Sequence, residues 1–304
     1  RKMLPLAYFF AIAGMIGCLP AFQSNQLIQI TGDLAFSDIE NFNLYGGLAL
    51  ASITGIVVIG GLKRIAEVAS YLVPFMGSVY FGAMLVAIFL NFELVVPAFK
   101  LIFIDAFNGT AIAGGTFIGV LIYGVRRGAF SNEAGMGTES LVHGVAKVSN
   151  PVKQGLVAMT GPIFDTLIIC TATALIILIS GVWETSTSQG VTLTSEAFNL
   201  LLGDLGGFIL FACVICFGLS TIFTYSYYGA TCARFIFGSF GMNFYIYLYI
   251  IGIFIYSIVP IDIAINIADG AFAMMAIPTL ISALWLAPKV MQESRNYFKL
   301  INNT

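Results

Sequence analysis

The chain has 304 residues, 59% of them hydrophobic and 9% charged, with a formal net charge of −2 and a mean hydropathy of +0.96. A soluble domain carries about 25% charged residues, so most of this surface meets lipid rather than water, and a near-neutral balance without basic clusters argues against nucleic acid as a partner. Continuous apolar runs such as AMLVAIFL (83–90) and TLIICTATALIILI (166–179) lack the alternation of a lipid-facing β-barrel.

A helix needs about 20 mostly apolar residues to cross roughly 30 Å of hydrocarbon. Runs of that kind fall at 4–22, 44–62, 72–90, 112–148, 155–180, 205–233, 243–260 and 263–287. The expected fold is an all-α integral membrane protein with about eight transmembrane helices, the fourth broken around 128–138. The first run follows Arg1 and Lys2 and continues to span length without a small-residue cleavage site, so it reads as a span and not a cleavable signal. Opening on Arg1 rather than Met, the sequence also reads as a piece of something longer.

Between the third and fourth runs, FELVVPAFKLIFIDAFNGT (92–110) is expected to lie as an amphipathic segment on the membrane surface, Lys100 reaching to water along its stem. TSEAFNLLLG (194–203) reads the same way. Basic residues occupy every second junction: Arg1 and Lys2, Lys63 and Arg64, Lys147 and Lys153, Arg234, then Lys289, Arg295 and Lys299. The intervening junctions at 31–41, 182–198 and 259–262 carry acids and no Lys or Arg, which places both termini of this chain in the cytoplasm of a cell-membrane protein.

Cys18, Cys170, Cys213, Cys216 and Cys232 all lie inside predicted spans, where small polarizable thiols pack, and CVIC (213–216) matches a redox motif by letter only. The single histidine, His143, forms no triad or metal cluster and is read as structural.

GVRRGAFSNEAGMG (124–137) departs from this pattern, with two arginines, a glutamate, an asparagine and four glycines. Non-helical backbone at membrane depth survives only where protein or an aqueous cavity satisfies it, and glycine lets the chain leave helical angles without a steric penalty. Two half-helices, 112–129 and 138–148, are expected to face each other across the unwound stretch between them, their ends offering carbonyls and N–H groups to a cation and a carboxylate. A wet surface loop between two short helices is the alternative. Asn132, whose amide can both accept and donate, is the leading substrate contact, with Ser131 and Gly135 beside it and Phe130 and Met136 as walls that favour a small ligand. Arg126, Arg127, Glu133 and Glu139 need partners inside a membrane. Asp165 and Thr166, in FDTLI, are expected either to anchor the arginine pair in one charge network with Glu133 or to serve the site directly.

RRGAFSNEAGMGTESLVHGVAK (126–147), followed by PVKQGLVAMTGPIFDTLIICTATALIIL (151–178), resembles the alanine/glycine:cation symporter family of sodium-coupled amino-acid transporters. FQSNQ (22–26), IGGLKRIAEVASYLVPFM (59–76) and FGLSTIFTYSYYGATC (217–232) extend the resemblance across nearly all the spans. It implies a leucine-transporter-type fold of two inverted five-helix repeats, each opening with a broken helix. On that pattern 1–111 supplies three spans of the first repeat, 112–288 the whole second repeat and 289–304 a cytoplasmic tail, with the first broken helix and its neighbour expected upstream of Arg1 and required for a full pocket. The resemblance further implies symport of alanine or glycine with sodium, a proton being the alternative coupling ion. It sets Gln23 and Asn25 on a helix that passes the pocket, capping at the outer end of the first span being their other role. It makes Ser220 and Thr221 sodium ligands through their hydroxyls; hydrogen bonds back to their own helix are the other fate of such residues.

A competing function is a membrane scaffold or receptor-like fragment with an incomplete cavity. Enzyme activity is not expected: an intramembrane hydrolase would need a nucleophile paired with a base, and neither Ser131 nor His143 has one at readable spacing.

Overall fold

The computed structural model describes residues 3–36, 38–107, 116–188 and 190–302. The predicted basic residues Arg1 and Lys2, the end of the amphipathic segment at 108–110 and the start of the fourth span at 112–115 lie outside them. Among the described residues every regular element is helical. Of the segments within the described residues, five are long and apolar enough to cross a membrane: Leu4–Ala35, Gly61–Leu90, Pro151–Ser180, Asp204–Tyr256 and Ile265–Asn302.

Helix α1 (Leu4–Gly17) ends at Gly17, and the helical path resumes after Pro20 as α2 (Ala21–Ala35). Proline is tolerated at a helix start because its missing N–H is not needed there, so the apolar segment runs through this break for 32 residues and the predicted end at 22 is too early. Gln23 and Asn25 consequently stand in the first turns of α2, not at the end of a span. Helix α3 (Phe42–Val58) leads into α4 (Gly61–Leu90), whose first turn already holds Lys63 and Arg64, and Arg64 Nη1 donates to the Ile56 carbonyl at 2.6 Å across the α3–α4 corner. The segment predicted to be amphipathic forms α5 (Phe92–Ala106), with only Ala98 buried.

Helices α6 (Thr116–Asn132) and α7 (Thr138–His143) flank the interruption. Helix α8 (Pro151–Pro162), capped by Asn150, widens into one π-helical stretch at Ile163–Cys170 before α9 (Thr171–Ser180). A short turn, α10 (Val182–Thr185), and α11 (Val191–Leu202) follow. The 194–203 segment does more than lie on a surface, since Phe198 is fully buried against Tyr80 and Leu210.

The helical run α12 (Asp204–Tyr256) is two helices that meet at Gly238, whose φ of 68° and ψ of −156° are not helical. Tyr249 Oη donates to the Ile222 carbonyl at 2.7 Å, although residues so far apart in sequence would stand about 40 Å apart along a straight helix. The element is thus a hairpin of two arms that turns at Gly238, and the predicted spans at 205–233 and 243–260 are its arms. Helix α13 (Ile261–Asn302) continues past the predicted span end at 287, through Pro288, so residues 289–302 extend the helix.

The hairpin is the spine of the molecule. Helices α1, α2, α3, α4 and α11 all pack on α12, while α13 lies against α1 and α2. Leu27, Leu50, Ile222, Tyr225, Tyr249, Phe272 and Met275 close one core; Tyr80, Met84, Ile176 and Phe198 close another. Large apolar side chains such as Phe89, Phe240, Leu284 and Trp285 point outward, as lipid contact requires.

Candidate binding site at the broken helix

Helix α6 stops because three backbone positions within five residues take positive φ: Glu133 at 55°, Gly135 at 85° and Gly137 at 89°. Glycine adopts such angles freely, whereas Glu133 holds them at a cost of about 1–3 kcal/mol that its surroundings must offset. They do so with specific hydrogen bonds. Asn132 Oδ1 accepts from the Ala134 N–H at 2.9 Å, Thr138 Oγ1 donates to Glu133 Oε2 at 2.5 Å, and Thr279 Oγ1 of α13 donates to the Met136 carbonyl at 3.2 Å. Gly137 is also the point of closest approach: a Cβ there would stand 2.5 Å from Thr279 Oγ1 and 2.7 Å from the Phe10 ring.

The unwound stretch is therefore Glu133–Gly137, ending where expected, before Thr138, but starting three residues later than the predicted helix end at 129. Phe130, Ser131 and Asn132 are still helical, Gly128 keeps helical angles, and the second half-helix ends at His143 instead of 148. Composition could locate the glycines but not which of them would use a left-handed angle.

Opposite the end of α6 stands the π-helical stretch. One extra residue per turn swings side chains off the regular face, and here Asp165, Thr166 and Cys170 all turn toward α6. Ser131 Oγ donates to Asp165 Oδ2 at 2.5 Å and lies 3.3 Å from Cys170 Sγ. Asn132 Nδ2 donates to Thr166 Oγ1 at 2.9 Å, and Thr166 Oγ1 donates on to Asp165 Oδ2 at 3.2 Å. Asn132 thus ties the break together through both ends of its amide.

Two cavities meet at this point. One, of about 310 Å³, is lined by Gln23, Gln26, Phe130, Ser131, Glu133 and Thr221. The other, also about 310 Å³, is lined by Ser131, Asn132, Glu133, Glu139, His143 and Asp165. Ser131 and Glu133 border both, so the broken helix is the partition between them.

The expected site residues divide accordingly. Phe130, Ser131, Asn132, Gln23 and Thr221 come together around the break. Asn25 does not line either cavity: its Nδ2 donates to the Val259 carbonyl at 2.6 Å and to that of Tyr256 at 3.3 Å, fastening α2 to the end of α12. Ser220 and Thr221 both bond back to the Phe217 carbonyl at 2.9 Å, and Ser220 is buried beside Met76 while Thr221 faces the cavity. Gly135 sits beside Leu280, and Met136 is buried against a third cavity with Phe130. His143 Nδ1 lies 2.6 Å from the Gln154 amide nitrogen, which ties α7 to α8.

The single charge network expected of Arg126, Arg127, Glu133, Asp165 and Thr166 is instead three separate groups. Asp165 does not anchor the arginines; Asp269 of α13 does, 3.0 Å from Arg127 Nη2 and 3.7 Å from Arg126 Nη1. Glu133 is held by Thr138, with Tyr225 beside it, and Asp165 by Ser131 and Thr166. Asp269, Gln26, Tyr225 and Thr279 were not singled out from the sequence. Asp269 was the most findable, as an acid inside the run at 263–287; Thr279 looked like any membrane threonine bonded to its own helix.

Similarity to other proteins accords with this architecture. The chain is 34% identical to the uncharacterized transporter YflA of Bacillus subtilis over 98% of its own length and 64% of that protein. It is 34% identical to the sodium/alanine symporter AgcS of Methanococcus maripaludis over 99% of its length and 66% of that protein. It is 31% identical to the sodium/proton-dependent alanine carrier protein of Bacillus sp. (strain PS3), over 72% of its length and 52% of that protein. The chain thus spans just under two thirds of the first two of these relatives. Its match to the family described as sodium:alanine symporter covers residues 1–304, and with its apolar helices and broken α6–α7 pair the chain belongs to that family of multi-pass membrane proteins.

Proposed function

We propose that this chain is the larger part of a secondary active transporter that couples uptake of a small neutral amino acid, alanine or glycine, to the sodium gradient, a proton being the alternative coupling ion. The observation that carries this reading is the break at Glu133–Gly137, bordered on two sides by cavities that share Ser131 and Glu133. A partition made of unwound backbone and short polar side chains can bind a zwitterion from either side as neighbouring helices rock, the arrangement that alternating access requires.

In this reading the substrate lies against Phe130, Ser131 and Asn132, with Gln23 completing the pocket, Gly135 and Met136 backing the Phe130 wall and Asn25 holding α2 in register. Thr221, assisted by Ser220, turns its hydroxyl from the Phe217 carbonyl to sodium, a hard ion that takes oxygen ligands. The fold is the eight-crossing remainder of a leucine-transporter-type inverted repeat, with 1–111 in the first half and 112–288 in the second. Both chain ends face the cytoplasm, and upstream helices complete the site. Coupling needs only that sodium and substrate each raise the other's affinity.

The test is uptake of labelled alanine into proteoliposomes holding the full-length gene product. Accumulation is expected with an inward sodium gradient and is lost when the gradient is dissipated. Alanine flux indifferent to both sodium and proton gradients would overturn the reading.

A further inference from the structure

A cavity of about 570 Å³ opens between α1, α7, α12 and α13, and the transport cycle as described gives it no role. Its wall is mainly apolar, with Leu6 and Phe10 from α1, Leu141 from α7, Phe235 from α12 and Leu286 from α13. The hydroxyls in it are mostly committed to backbone. Ser140 Oγ donates to the Gly137 carbonyl at 2.6 Å and Ser282 Oγ to that of Pro278 at 2.7 Å, while Thr279 Oγ1 is within reach of two carbonyls, Met275 at 2.9 Å and Met136 at 3.2 Å. An ion or zwitterion entering here would shed its water for little in return, and water itself avoids a cavity that offers it few polar partners.

What lies outside this cavity is hydrocarbon. Phe235 and Leu286 belong to its wall and are still 49% and 50% exposed, so it opens onto the lipid-facing surface that also carries Leu284 and Trp285. The acyl chains of the bilayer are the molecules at hand that match such a wall. Its rim adds a charge preference. Arg234 adjoins Phe235, and Lys289 stands one turn beyond Leu286, both of them exposed. The acid nearest in sequence to the lining, Glu139, lines the polar cavity at the break instead. A basic pair beside an apolar cavity matches a lipid with a negatively charged head.

The broken helix closes the back of this cavity. Gly137 is part of the wall, and so are the two residues that crowd it, Phe10 and Thr279. Thr279 is also the residue of α13 that bonds to the Met136 carbonyl. A chain lying in the cavity therefore bears on the groups that hold the break in its shape.

We propose that this cavity seats one acyl chain of an anionic phospholipid, its headgroup on Arg234 and Lys289, and that the seated chain supports the break by keeping Phe10 and Thr279 against Gly137. The lipid is a regulatory ligand, separate from the transported solute. Its detection by labelling does not depend on the transport reading above.

The full-length gene product is reconstituted in phosphatidylglycerol vesicles holding a trace of the same lipid with a photoreactive diazirine in one chain. Cross-links are expected at residues 3–11 and 278–286 of the native protein. They should fall at least fivefold in Ala283→Trp and, from the facing helix, in Ala7→Phe, both of which fill the cavity without altering Gly137. Joint Arg234→Gln and Lys289→Gln substitution is expected to erase the advantage of phosphatidylglycerol over phosphatidylcholine carrying the same reactive chain. Alanine uptake should slow about threefold in the filled variants. Undiminished cross-linking in both of them would reduce the contact to ordinary surrounding lipid and overturn the site. So would a native protein unlabelled at these residues, the result if another segment of the gene product fills the cavity. Equal labelling of the native protein by the two lipids would overturn the anionic headgroup, and unchanged uptake in filled variants that have lost the label would overturn the regulatory role.

Discussion

Two long apolar elements of this molecule are interrupted by glycine, and only one interruption reads as a binding site. At Gly238 the chain reverses direction at a single residue, with nothing within 4 Å of where a Cβ would be and apolar arms on either side. At Glu133–Gly137 three positive φ angles are spread over five residues, and side chains from α6, the π-helical stretch and α13 converge on them. Glycine alone makes a corner. A site forms where the loosened backbone is held by groups that could exchange one partner for another.

The sharpest way to break that distinction is to add the same methyl group at both places. Gly137→Ala meets a positive φ and a crowded wall, so about 1–3 kcal/mol of backbone strain is joined by overpacking of a further 1–3 kcal/mol. Loss of uptake is expected together with a large fall in thermal stability. Gly238→Ala carries the backbone strain alone; it is expected to lower the melting temperature while leaving the alanine KM of surviving protein unchanged. Equal effects on KM would erase the difference between the two interruptions.

Next in size is Asp269→Ala, which strands two arginines. Leaving partly buried charged donors without their acceptor costs about 1–3 kcal/mol, read by thermal melting, and the loss should shrink when Arg126 and Arg127 are neutralised in the same chain. Asn132→Ala removes both the hydrogen bond that caps Ala134 and the tie to Thr166, for about 1–2 kcal/mol; a comparable loss from Thr166→Val, not additive with the first, would show that they act as one clamp. The smallest effect on stability belongs to Thr221→Val. Its hydroxyl only bonds back to its own helix, so melting should move by less than about 0.5 kcal/mol while the sodium concentration for half-maximal uptake rises several-fold.

Much of the fold was legible in the sequence because crossing lipid leaves a long apolar trace. The spans at 72–90, 155–180, 205–233 and 243–260 all correspond to helix. What composition misjudged were ends: the helical path breaks between α1 and α2 without ending the apolar segment, and α13 runs on past 287 because Pro288 does not stop it. At the site, the density of Gly, Ser and Asn at 124–137 marked the break. Its partners were hidden. The arginines' counter-ion, Asp269, lies 142 residues away from Arg127, and nothing local distinguishes it from Asp165 as the anchor. The turn of Asp165 and Thr166 toward Ser131 depends on a π-helical register that no periodicity in the sequence announces.

Ser131 is where these lines meet, since it borders both cavities and its hydroxyl donates a hydrogen bond to Asp165. The most direct measurement is the affinity of the full-length protein for alanine, with and without sodium, in the native form and in Ser131→Ala. We expect sodium to tighten binding to the native protein and the substitution to weaken it at least tenfold while the protein still melts cooperatively. Native affinity in a folded Ser131→Ala protein would contradict the assignment of the substrate to the broken helix.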